Sequence, residues 1–214
     1  MTGPVRVVLA FLPLAIYFFV LGYWQSRPKP RVVSGALDFG MLAFGLGGLV
    51  AFGPVGQFLV GAVFPQPSLA AWVAVASFVG LLAMLGVIPA RTRMVVYHVE
   101  EHDLEHALFA AFERIEGSVT PTLHGFENVK SRRGVTVEIG RRLRSAVIQA
   151  HGDQPGHLIE SLRHALVEKL DGVQARLSRM AGIWFGLCLG TLLSIPILAY
   201  LVSHPEIQAT LPKG

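Results

Sequence analysis

Charge is what this sequence has least of. Asp, Glu, Lys and Arg make up 15% of its 214 residues, where soluble domains carry about 25%. With a hydrophobic share of 52% and a mean hydropathy of +0.54, lipid has to be part of the solvent. Cysteine is nearly absent as well. Cys188 stands alone, which excludes an intramolecular disulfide framework and makes it a small packing residue within an apolar run. A strongly basic surface is missing despite the net charge of +4. Between Arg91 and Met180, thirteen Lys or Arg stand against twelve Asp or Glu. No aromatic residues are interleaved with the cations clustered between Lys130 and Arg144, which argues against nucleic acid as a partner.

What the chain has in quantity is long apolar runs. About 20 helical residues cross a hydrocarbon core of about 30 Å, and four runs reach that length. The first, residues 5–24, holds only Arg6, and the cations Arg27, Lys29 and Arg31 follow it rather than precede it, unlike a signal peptide. The second, 36–52, meets Gly53-Pro54, after which the chain either continues as a kinked helix to Phe64 or lies in the interface. The third covers 69–88, and the fourth covers 182–202, where Pro196 is tolerable. The expected organisation is a membrane domain over 1–90 with three spans, an inserted domain over 91–180, and a fourth span with a short external tail over 181–214. Arg27, Lys29, Arg31, Arg91, Arg93, Arg176 and Arg179 flank the same ends of these spans. Cytoplasmic flanks carry such an excess, so the chain is expected in the cell membrane, the inner membrane of a bacterium, with both termini outside and the inserted domain cytoplasmic.

Polar groups at membrane depth are scarce. Asp38 sits in the first turn of the second span and Gln57 follows the Gly-Pro break. Two such groups do not make an ion pathway, and a transport component centred on Asp38 stands only as an alternative. Gly182, Gly186, Gly190 and Ser194 recur every four residues along the last span, and Ala36, Gly40, Ala43, Gly47 and Ala51 form a similar ridge on the second. Such stripes predict close packing between the two helices, or self-association.

The inserted domain reads as a strand over 93–99, then a helix over 101–115 with Leu104, Leu108, Ala111, Phe112 and Ile115 on one face. Strands around 122–130, 135–139 and 145–150 follow, then a helix from Pro155 carrying Leu158, Ile159, Leu162, Leu166 and Leu170. The order β-α-β-β-β-α predicts a small α+β domain, by analogy a ferredoxin-like sandwich without its closing strand.

Seven of eight histidines lie here. His98, His102 and His106 are spaced by four, and His102-x-x-Glu105-His106 fits over five residues the arrangement of inverted zinc peptidases, with two imidazoles one turn apart. Zinc would need a third ligand, for which Glu160 and Glu168 are candidates; the alternative is a solvated helix face. The loop from His151 to His157 could hold an anion at a helix start. Lys130, Arg132, Arg133, Arg141, Arg142 and Arg144 crowd two turns. They either contact lipid headgroups, at about 1 kcal/mol each, or are solvated and protect sheet edges. The pattern points to a non-enzymatic scaffold or regulatory subunit whose cytoplasmic domain binds a protein partner or a second copy of the chain. A metal-dependent membrane hydrolase centred on His102, Glu105 and His106 is the alternative.

Overall fold

The structure, a computed structural model, describes residues 3–63, 68–140, 145–175 and 178–204. Its first half comprises α1 (Gly3–Ser26), β1 (Arg31–Ser34), α2 (Gly35–Phe52), α3 (Pro54–Val63) and α4 (Leu69–Ala90). The second half comprises β2 (Arg93–Tyr97), α5 (Glu101–Glu116), β3 (Thr120–Thr122), β4 (Gly125–Asn128), β5 (Arg133–Gly140), β6 (Ser145–His151), α6 (Pro155–Leu170) and α7 (Arg179–Ser203). These elements form two compact units. One holds the chain up to Leu21, Met41–Met84 and the chain from Gly182; the other joins Gly22–Gly40 to Leu85–Ala181.

In the helical unit, α1, α2, α4 and α7 are each long and apolar enough to cross a membrane. Their apolar surface is mostly uncovered: of the most apolar stretch, 22% is buried in α1 and in α2, 11% in α4 and 6% in α7. The stretch after Gly53 is helical, but ten residues of α3 reach only about 15 Å, too short to cross. Pro54 starts α3 at a position where no N–H is needed; Phe64 lies outside the described residues.

α2 approaches α1 backbone to backbone. A Cβ on Gly48 would lie 2.8 Å from the carbonyl oxygens of Leu9 and Ala10, and one on Gly45 would lie 3.0 Å from Tyr17. α7 meets α1 through aromatic pairs, Phe18 with Trp184 and Phe19 with Phe185, each with centroids 5.9 Å apart. The two small-residue ridges are not the seam between α2 and α7. Among the described residues, a Cβ on Gly40, Gly47, Gly182, Gly186 or Gly190 would meet nothing within 4 Å. Ala51 is buried, Ala43 half-buried, and Ser194 bonds back to the Thr191 carbonyl of its own helix. Gly186→Leu is therefore expected to leave thermal stability in detergent unchanged. Gly48→Leu should lower it by about 1–3 kcal/mol, because the added side chain must push the backbones of α1 and α2 away from each other.

In the other unit, six antiparallel strands form one sheet in the order β1-β2-β6-β5-β4-β3. Alternate residues face one way: Met94 and Val96 from β2, Ala146 and Ile148 from β6, Val135 from β5. Against them lie the apolar faces of α5 (Leu104, Leu108, Phe112) and α6 (Leu162, Leu166), at helical spacing. Two features differ from what the sequence predicts. The place of the missing closing strand is filled by β1, from the segment between α1 and α2, in register Arg31↔Tyr97 through Ser34↔Met94. Four residues carry no strand periodicity of their own, but they satisfy the backbone groups along the outer edge of β2. The strand expected over 122–130 is a tight hairpin, β3 and β4, turning at Leu123-His124.

Candidate functional site

α5 starts at Glu100, whose backbone is extended, with Glu101 and Asp103 in the first turn against the positive end of the helix dipole. It stops at Gly117, where φ is 77° and the N–H donates to the Glu113 carbonyl at 2.8 Å. Between α5, the β3–β4 hairpin and β5 lies an open groove of about 710 Å³. Its floor includes Leu108, Phe109, Phe126 and Val137, with the Phe109 and Phe126 rings 5.7 Å apart, edge to face. Glu101, Glu105, His106 and His124 line it as well. Leu123 at the hairpin tip is 91% exposed.

The structure keeps His102 and His106 together, with centroids 4.4 Å apart and both exposed, and places Glu105 and His106 in the groove wall. His98 is elsewhere: it is buried at the end of β2 with φ 62°, a left-handed conformation uncommon outside glycine. The two candidate third ligands are engaged on α6. Glu168 pairs with Arg114 at 2.9 Å, and Glu160 accepts from Arg163 at 2.5 Å and contacts His164 at 3.1 Å. The Arg163 hydrogen bond, with the Arg163 and His164 charges, holds Glu160 below the usual carboxylate range, although solvent exposure keeps the energy small. Among the described residues no three His, Cys, Asp or Glu side chains group as metal ligands. Elemental analysis of untagged protein is expected to find zinc well below stoichiometric, unchanged in a His102→Ala/His106→Ala variant. Stoichiometric zinc lost in that variant would instead favour the hydrolase.

Of the turn cations, Lys130 and Arg132 are exposed, while Arg133 pairs with the Glu116 carboxylate at 3.3 Å. Glu116, its side chain only 6% exposed, also accepts from Ser131 at 2.6 Å, and Asn128 donates to the Glu116 carbonyl at 2.9 Å. This network ties the β4–β5 turn to the end of α5. Arg141, Arg142 and Arg144 lie outside the described residues, as does Arg176. In the proposed anion loop, His151 lies over Gly134, where its ring occupies the space a side chain would take. Asp38, in the first turn of α2, accepts a hydrogen bond from the Tyr97 hydroxyl, and the Tyr97 ring packs on Trp24 with centroids 5.5 Å apart. Its carboxylate therefore anchors β2 to the first turn of α2. Gln57 is exposed on α3.

The groove is not visible in the sequence because its walls come from consecutive elements, α5, the β3–β4 hairpin and β5, whose packing on one another no local period reveals. The one signal for it is Phe109, an aromatic residue off the apolar stripe of α5. No protein-family model, curated protein or solved structure matches the chain.

Proposed function

We propose that this chain is a non-enzymatic integral membrane protein, a scaffold or regulatory subunit, whose α+β domain lies in the cytoplasm and pairs with a second copy through the groove. Four long apolar helices with so little of their surface covered fit a lipid solvent. The positive flanks favour both termini outside. The grouping of Gly22–Gly40 with Leu85–Ala181 in one unit accords with a loop and a domain on the same side of the membrane.

The observation that carries the pairing is the charge along α5. Its start holds Glu101, Asp103 and Glu105 beside the groove, while the turn with exposed Lys130 and Arg132 is bonded to its far end through Glu116. Sixteen residues separate these ends by about 24 Å. A two-fold axis that sets two copies antiparallel lays each basic turn on the other's acidic start and covers Leu123 and Phe109 together. The open glycine face of α7 suits the same association within the bilayer.

Charge reversal tests this reading on detergent-purified full chains, with energy transfer between two labelled populations as the readout. Glu101→Lys/Glu105→Lys and, separately, Lys130→Glu/Arg132→Glu should each weaken self-association about tenfold or more. Mixing the two variants restores both contacts and should return the affinity to near wild type. Two variants that associate normally, or a mixture that stays apart, would defeat it.

A further inference from the structure

The cations after the first span do more than mark its end. Arg27, Lys29 and Arg31 surround a hollow of about 360 Å³ between β1 and the end of α6, with Val32, Val167 and Leu170 along its apolar side. We propose that this hollow is a binding site for a phosphate ester, the headgroup of an anionic phospholipid. The proposal rests on the membrane reading above, since the site begins one residue beyond α1.

Three cations face one carboxylate here. Asp171 pairs with Lys29 at 2.6 Å, but both side chains are well exposed, 74% and 57%, so the pair is weak and exchangeable. Arg27 is fixed from the helix side. Its guanidinium stands 4.6 Å over the Tyr23 ring and donates to the Tyr23 hydroxyl, an aromatic and a cation together at the level where a span leaves hydrocarbon. Arg31 is presented by β1, whose register with β2 holds it opposite Tyr97. The segment carrying these cations is tied to the chain after α6 by the Ala175 N–H, which donates to the Pro28 carbonyl at 2.7 Å. Two neighbours oppose an anion: Asp171 and the carbonyl end of α6. Lys29 offsets the first, leaving Arg27 and Arg31 for the phosphate oxygens. Val167, half exposed on the apolar side, suits the glycerol and upper acyl carbons better than a free ion.

The test is native mass spectrometry of the full chain released from nanodiscs of phosphatidylcholine mixed with phosphatidylglycerol. Wild type is expected to retain phosphatidylglycerol selectively. Each surface cation is worth about fivefold, so Arg27→Gln/Arg31→Gln should lose about thirtyfold, and Asp171→Asn should gain about fivefold. Arg114→Gln, paired with Glu168 and outside the hollow, should change nothing. Selectivity undone by millimolar inorganic phosphate would make the ligand soluble phosphate rather than lipid. Equal retention of both lipids, or an equal loss in the Arg114 variant, would overturn the site while leaving the membrane assignment standing. A chain that carbonate washes from membranes would overturn that assignment itself.

Discussion

Val33→Asp in the full chain is expected to lower the stability of the sheet-bearing unit by about 3–5 kcal/mol and to strip β2 of its amide exchange protection. Val33 is 3% exposed in the middle of β1, paired to Val95, so the variant buries an unpaired charge. The same reasoning predicts that residues 91–175 expressed alone fail to give a stable monomer. They keep both helices and the other five strands, but leave the outer edge of β2 open from Arg93 to Tyr97, an invitation to intermolecular pairing. Because the Ala175 N–H reaches the Pro28 carbonyl, joining residues 28–35 after Ala175 by a short flexible linker puts the strand back by a different connection. That permuted chain should recover protected β2 amides in hydrogen exchange. If the 91–175 fragment is already monomeric and protected, β1 is an ornament to the sheet and the prediction fails.

This dependence on β1 also marks the limit of what the sequence makes legible. The long helices and strands announce themselves, since α5 and α6 repeat apolar residues at helical spacing and β5 alternates Val135, Val137 and Ile139. Their periods are local properties. Arg31–Ser34 has no such signature, because its partner is β2, on the far side of α2, α3 and α4, and only that pairing makes a strand of it. The same holds for the sites. His102 and His106 are neighbours on one helix, so their proximity follows from spacing alone. Helical spacing likewise sets Glu160 beside Arg163 on α6, but the engagement of Glu168 with Arg114 and of Arg133 with Glu116 joins separate elements and does not follow from it. Arg27, Lys29 and Arg31 are legible as a positive flank, but the apolar side that turns them into a hollow comes from α6. The glycine stripe on α7 is legible as a pattern, and among the described residues the structure brings nothing within 4 Å of it.

A single methyl group provides the other large effect. Gly152, between β6 and α6, has φ 94°, a backbone conformation that disfavours every L side chain, and a Cβ there would lie 2.0 Å from the Arg132 carbonyl oxygen. No rotamer relieves such a contact, since neither the Cβ nor the carbonyl can rotate away. Either the β4–β5 turn swings outward or the end of the β5–β6 ladder at Gly134↔His151 opens. Gly152→Ala is therefore expected to cost about 3 kcal/mol or more, from overpacking and backbone strain together. Gly156→Ala, four residues on, is the matched control. It lies inside α6 with nothing within 4 Å of the added methyl, so removing a flexible glycine from a helix should stabilise by up to about 1 kcal/mol. Thermal unfolding of both variants in one detergent separates the two signs. Because the turn that Gly152 holds carries Lys130 and Arg132, the Gly152→Ala protein should also self-associate less than its residual folded fraction predicts. A Gly152→Ala protein as stable as wild type would mean that the turn moves freely, and the charge pattern proposed for pairing would then have no fixed geometry to act through.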